Sequence, residues 1–423
     1  MRVFSDEKKI CSGIWSIVIL LLLTEPVFFQ HIWTKRLFQA AIMAAFAVVF
    51  LFYVGSRWRD YKAKSERKSS KVIYVLVAYY AYLLLRTYMN GGPAFSCFFR
   101  CVQFGAIILY FDMLVRNNPK ALFSTWLNIM TVYVVANLLT VLIFPSGLYS
   151  DEYYSNNYLL GYDNQNINFI LPMLIFVLLK HFYYKPCLVQ IIVSYAVSLA
   201  SVLITWSGMS VILVFLMSSF AVFFLLKNKA YDAKKPLSGG KILNLMNLLL
   251  VNIAAGVLLV VFNIQKYFST LIEKVLHKSV DLTGRVDIWQ RSMEWIAKNP
   301  IFGYGQERAV ERAVKMGYRE LSPRGLHAHN RFLETMYQGG VILLAMYLFV
   351  LLFAAYCLRK VKETPFAKIL AFGIFVYLTG MLTEVYTYSP FFWPLLVLAE
   401  NAPGFIKRHK EGQKQEMPET INE

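Results

Sequence analysis

Long apolar runs separated by short polar segments set the pattern of this chain. The runs measure roughly 16 to 24 residues, the length at which a helix rising 1.5 Å per residue crosses a hydrocarbon core about 30 Å thick. A transmembrane barrel would instead show segments of about ten residues with apolar and polar positions alternating. The pattern therefore predicts an all-α membrane protein with about twelve spanning helices. They are expected near residues 13–29, 37–54, 72–89, 94–115, 121–144, 167–184, 187–204, 210–226, 242–262, 336–357, 369–386 and 390–406. The longest polar interruption, 263–335, divides the chain into helices 1–9 (residues 1–262), a large partly helical loop, helices 10–12 (336–406) and a polar tail (407–423).

Composition agrees: 57% of the 423 residues are apolar and only 16% are charged. The first run follows Arg2, Lys8 and Lys9 as a secretory signal would. It lacks a small-residue cleavage site and carries Glu25-Pro26 where one belongs, so it is read as a retained helix. The five cysteines lie in or beside apolar runs without a CxxC pair, which points to packing rather than metal or disulfide chemistry.

Positive charge marks the cytoplasmic side of a multi-pass protein. Arg57 to Lys71 hold seven Lys or Arg, and further clusters occupy 227–241, 359–368 and 407–410. With twelve helices all of these fall on the side of the N-terminus, so both termini are expected to be cytoplasmic. Segment 145–166, on the other side, has no Lys or Arg but carries Asp151, Glu152 and Asp163. Parity places 263–335 outside although it holds twelve Lys or Arg against eight Asp or Glu. Long loops translocate regardless of charge, and a basic excess kept there suits either a solvated surface or an anionic ligand.

Within the loop, Asp281 or Thr283 can cap a helix whose apolar residues Ile288, Trp289, Met293 and Ile296 recur every three to four positions. Pro300 should end it at Asn299, and Trp289 and Trp295 suit a helix lying at the membrane interface. Arg285 opens this helix, where free N–H groups and the dipole also favour anions. Further on, Leu326-His327-Ala328-His329-Asn330 brings two imidazoles to the mouth of the next helix. No third ligand at recognisable spacing accompanies them, so proton transfer suits them better than metal binding. No cofactor is expected.

Thr283-Gly284-Arg285, Trp289, Asn299-Pro300, Gly303-Tyr304-Gly305, His327-Ala328-His329-Asn330 and Gly339-Gly340 together resemble the core of the bacterial O-antigen ligase and polysaccharide polymerase superfamily. Gly161-Tyr162-Asp163-Asn164-Gln165-Asn166 is a weaker likeness to that family's glycine-and-asparagine turn. The resemblance implies a GT-C-like, inverting, metal-independent glycosyltransferase of the bacterial inner membrane. Its substrates would be an undecaprenyl-diphosphate-linked oligosaccharide and an acceptor hydroxyl. Membrane lipid and other polysaccharide-assembly proteins would be its surroundings, with no role for nucleic acid.

By carry-over Arg285 holds the donor diphosphate and His329 or His327 serves as base or positioning group, with Asn330 beside them. The family's Ser-Arg element is missing: Thr205-Trp206-Ser207-Gly208-Met209-Ser210 has no Arg. Arg86 or Arg100, near the Asn90–Pro93 turn, is the expected substitute, because an arginine in a spanning helix needs a cavity or a partner. Glu384 is read either as a second acid in the site or as the partner of a loop arginine. Asp151-Glu152, among Tyr149, Tyr153, Tyr154 and Tyr158, is a candidate sugar contact. Loss of the Ser-Arg element favours a polymerase of repeat units for capsule, exopolysaccharide or O-antigen over a ligase. The rival from another class, a transporter of lipid-linked saccharide, calls for inverted repeats and broken helices that the sequence does not display.

Overall fold

The computed structural model describes residues 7–31, 35–62, 70–151, 156–227, 243–268, 284–318, 327–385 and 391–416. Among them every regular element is helical, and the only strand-like pairings are isolated bridges at Tyr149–Asn157 and Tyr158–Gly161. Each of the twelve expected runs coincides with a helix. These are α1 (Gly13–Leu23), α2 (Lys35–Lys62), α3 (Lys71–Met89), α4 (Ala94–Asn117), α5 (Pro119–Ile143) and α6 (Ile167–Tyr183). After them come α7 (Leu188–Ile204), α8 (Gly208–Lys227) and α9 (Leu245–Val260). Two loop helices follow, α10 (Arg285–Lys298) and α11 (Ala309–Lys315), and then α12 (Arg331–Arg359), α13 (Pro365–Gly380) and α14 (Phe392–Glu416).

Seven of the described helices are long and apolar enough to cross a membrane, and α1, α7, α9 and α13 are shorter apolar helices. The first run supplies a shorter helix than its hydropathy suggests. Pro26 bars helical geometry in the residue before it, so α1 stops at Leu23 and the chain resumes as a single 3-10 turn at Val27–Gln30.

Two kinds of helix surface explain the bundle. In α6 almost every residue from Phe169 to Leu179 is buried, because α5, α7, α8 and α13 surround it. The peripheral α2 and α8 instead turn Phe50, Leu51 and Val54, or Phe215, Val222 and Phe223, outward. Apolar area displayed on this scale is what lipid, not water, accommodates. The α3 N-terminus is satisfied by a remote helix: Glu400 of α14 accepts from Ser70 Oγ and from the Lys71 and Val72 N–H groups at 2.7 and 3.0 Å. That contact replaces a local cap for orphan donors.

One feature was not foreseen. α12 is interrupted at Gly339 and Gly340, and Gly340 has φ +60° and ψ −160°, a conformation open in practice only to glycine. The break lets the loop clamp onto the helix. Tyr304 and Gly305 donate to the Tyr337 and Gln338 carbonyls at 2.9 and 2.7 Å, and Val341 donates to the Pro300 carbonyl at 2.8 Å. The backbones come so close that a methyl group on Gly303 would lie 2.5 Å from the Gly339 nitrogen. On Gly340 it would lie 2.1 Å from the Ile301 oxygen. The two glycine pairs are thus halves of one joint.

Candidate active site

The loop reaches the bundle at three points. α10 begins at Arg285 with Gly284 before it in the left-handed region, and it ends at Asn299 where Pro300 requires. Asp281 and Thr283, the expected caps, lie outside the described residues. Trp289 is fully buried on a helix that packs against α12, so protein covers this side chain, while Trp295 is only half-buried. Amphipathic spacing identifies an apolar face but not whether lipid or protein covers it.

The second point is a sealed ion pair. Arg312 of α11 meets Glu334 of α12 through two parallel contacts of 2.8 Å, with side-chain exposures of 5% and 1%. Gln338 and the Ala328 N–H add contacts of 2.7 and 2.8 Å to the same carboxylate. Each lone-pair direction is used, as a buried carboxylate requires. Because Ala328 stands between the two histidines, this pair also fixes their turn. Asn330 completes the turn as N-cap of α12: its Oδ1 accepts from Phe332 and Leu333, and its Nδ2 donates to the Leu382 carbonyl at 2.9 Å.

The turn gives the two histidines different surroundings. His327 Nδ1 accepts the His329 N–H at 3.3 Å, and the rings lie 4.1 Å apart. Burial, aided by the neighbouring His329, pushes the His327 pKa down to about 3, so its ring is neutral at ordinary pH. His329 itself has φ +45°, a conformation costing a non-glycine residue on the order of 1 kcal/mol or more. Its Nδ1 faces Glu384 Oε2 at 3.4 Å.

Glu384 is the third point, one turn beyond the end of α13. Its Oε1 pairs with Arg285 Nη2 and accepts from Asn164 Nδ2 at 3.2 Å. Asn164 Oδ1 in turn accepts from Ser207, whose Oγ lies 2.8 Å from Ser210 Oγ. The weak glycine-and-asparagine turn and the segment lacking arginine therefore reach the same network as Arg285 and His329. Hydroxyl groups stand where the resemblance would put a second cation. Trp206, beside them, is another non-glycine residue at positive φ, +48°. The Thr383 hydroxyl and both polar atoms of the Asn166 side chain are buried without a partner among the described residues. Unpaired groups of this kind suit a ligand or water.

The remaining expected residues go elsewhere. Arg86 donates to the Phe302 and Gly303 carbonyls at 3.1 and 2.9 Å and covers the Phe302 ring, so it braces the glycine loop. Arg100 is half-buried on α4, which packs against α2, α3 and α14. Asp151 is half-buried near Tyr149, and Glu152, Tyr153 and Tyr154 lie outside the described residues. Among the described residues no group of three His, Cys, Asp or Glu is arranged to hold a metal ion. Sequence reasoning missed Asn164 as a member of the network, Ser207, and the Arg312–Glu334 pair. The charge of α11 and the acid in the first turn of α12 were visible, but their pairing was not.

Among curated proteins none matches the chain. The family model described as O-antigen ligase matches residues 170–348, a stretch that contains Ser207, Arg285, His327, His329 and both glycine pairs. Members of that family are glycosyltransferase-like ligases and polymerases acting on lipid-linked oligosaccharide. Residues 170–348 of this multi-pass membrane protein thus form a stretch of the O-antigen ligase type, in line with the resemblance to the O-antigen ligase and polysaccharide polymerase superfamily.

Proposed function

We propose that the chain is a polymerase that joins oligosaccharide repeat units carried on undecaprenyl diphosphate. One observation carries the reading: a cation suited to a diphosphate, Arg285, and an imidazole suited to a hydroxyl proton, His329, converge on a single carboxylate, Glu384. The acceptor oxygen attacks the anomeric carbon of the donor while the bond from that carbon to the phosphate oxygen breaks. The lipid diphosphate leaves with the electron pair, and the hydroxyl proton passes to His329. Direct displacement inverts the anomeric centre. Arg285, aided by the N-terminal N–H groups of α10, stabilises the charge that develops on the leaving group. With Nδ1 directed at Glu384, Nε2 is the nitrogen left for the acceptor.

The reading sets segment 263–335 on the outer face of the bacterial cytoplasmic membrane and both termini inside. Because a guanidinium meets the leaving group, transfer by the purified protein is expected to persist in EDTA.

A ligase that moves finished glycan to a final acceptor uses the same residues, and the matched family carries that description. The polymerase is preferred because Ser207 and Ser210, not an arginine, adjoin Asn164. The transporter alternative gains little from the break in α12, since the loop backbone consumes the groups that the break frees. Glycan analysis of cells lacking the protein tests the choice. Single repeats without long chains are expected. Long chains that remain on the lipid carrier would indicate a ligase, and unchanged glycan would sink both readings.

A further inference from the structure

Glu384 serves two masters, and only one of them resembles a finished contact. Its Oε1 is paired with Arg285, whereas the 3.4 Å from its Oε2 to His329 Nδ1 is at the long end for a hydrogen bond. A diphosphate seated bidentately on Arg285 draws on the nitrogen that Glu384 now holds, because both forks of the guanidinium, Nε with Nη2 and Nη1 with Nη2, include Nη2. The two anions therefore compete. Arg285 keeps 19% side-chain exposure, so a ligand can reach it, while Glu384 at 4% is confined. Asn164 Nδ2, itself held through Ser207, tethers the carboxylate independently of Arg285. Asn164 and Glu384 both lie outside the matched residues 170–348.

We propose that Glu384 is a donor-responsive positioning residue: the donor diphosphate takes Arg285 from it, and the tethered carboxylate then turns its charge to His329. The inference rests on the roles given above to Arg285 and His329. Its chemical effect is to favour the imidazolium that forms when Nε2 accepts the acceptor proton, by way of the Nδ1–H to Oε2 bond. The base is thereby strengthened only after the donor is seated. An acceptor arriving first meets a poorly oriented imidazole.

Competition has a signature that a simple brace lacks. Glu384→Gln removes the competing charge but keeps a hydrogen-bonding amide. The purified full-length protein in detergent should then bind undecaprenyl diphosphate and inorganic pyrophosphate about tenfold more tightly, the scale of one charge-assisted contact. Turnover with lipid-linked repeat units should fall about a hundredfold, the lower end for losing effective general-base catalysis. Asn164→Ala supplies a second test should the first variant fold poorly. It should leave pyrophosphate affinity at or above the original value and lower turnover about tenfold through loss of the tether alone. Weaker pyrophosphate binding by Glu384→Gln would show that the carboxylate only braces Arg285, and undiminished turnover in Asn164→Ala would remove the tether; either overturns the proposal. Arg285→Lys in the same assay separates the two levels of inference. Unchanged diphosphate affinity there would bring down the functional reading itself, whereas weakened affinity there without tightening in Glu384→Gln would bring down only the switch.

Discussion

Two arginine–glutamate pairs that tie the long loop to the helix bundle, Arg312–Glu334 and Arg285–Glu384, are built from the same two residue types and differ in nearly every physical respect. Arg312–Glu334 is bidentate, closed to solvent, and has its carboxylate filled by Gln338 and the Ala328 N–H. Arg285–Glu384 is held through one guanidinium nitrogen, with the carboxylate shared among Asn164, His329 and the arginine. A sealed pair has nowhere else to go, because releasing either partner strands a charge in a medium of low dielectric. A shared pair has alternatives already within reach. The first is a fastener, and the second is suited to exchanging partners during a reaction.

Removing the fastener should have the largest effect. Arg312→Leu leaves the Glu334 charge buried without its counter-ion, at a cost of about 3–5 kcal/mol. Thermal unfolding of the purified protein should shift sharply downward, with donor binding and transfer lost together because Ala328 and the histidine turn hang from the same carboxylate. The double variant Arg312→Leu with Glu334→Leu should recover part of the stability, since no charge is then stranded. A single variant as stable as the original protein would erase the distinction between the pairs.

Next in size are changes at the shared pair, which should cost rate and spare the fold. His329→Ala should lower transfer about 10² to 10⁴-fold with donor affinity kept, because the imidazole acts on the acceptor. Arg285→Lys keeps the charge but not the planar fork, so transfer should fall about a hundredfold and donor affinity should drop. Parallel measurements of affinity, turnover and melting temperature check both. A melting shift as large as that of Arg312→Leu would make Arg285–Glu384 a second fastener instead.

How much of this was legible depends on whether the signal was local. Each apolar run coincides with a helix because about eighteen consecutive apolar residues are their own signature. Pro300 marked the end of α10 for the same reason. Glu384 was visible as an acid with two readings, yet its contacts with Arg285 and Asn164 span 99 and 220 positions, which no periodicity encodes. Gly303, Gly305, Gly339 and Gly340 were noticed as a pattern without their reason. The reason is mutual for Gly303 and Gly340, each of which meets the other segment's backbone, whereas Gly305 lies against the backbone of Arg86 and Thr87 and Gly339 against the Leu343 side chain. Arg86 was singled out correctly as an arginine needing a partner, but two carbonyls and an aromatic ring supply it.

His327 offers the smallest effect and the finest test, since it stands between the two pairs. The charges of Glu334, Glu384, Arg312 and His329 all act on its ring. Burial dominates and lowers its pKa from an unfolded value near 6.5 to about 3. Between those values the unfolded chain binds a proton that the folded chain refuses, so stability must decline as pH falls from about 6.5 towards 3. Above that window the group contributes no pH dependence. His327→Asn keeps an acceptor near the position of Nδ1 for the His329 N–H but removes the titration. Its melting temperature should therefore depend less on pH between about 6 and 4.5 than that of the original protein. Turnover at neutral pH should fall only a few fold, because the substituted residue orients the histidine turn without taking the acceptor proton. Turnover abolished as fully as in His329→Ala would transfer the role of base to His327, and an unchanged acid slope would mean that its ring is not the neutral spacer between the two carboxylates.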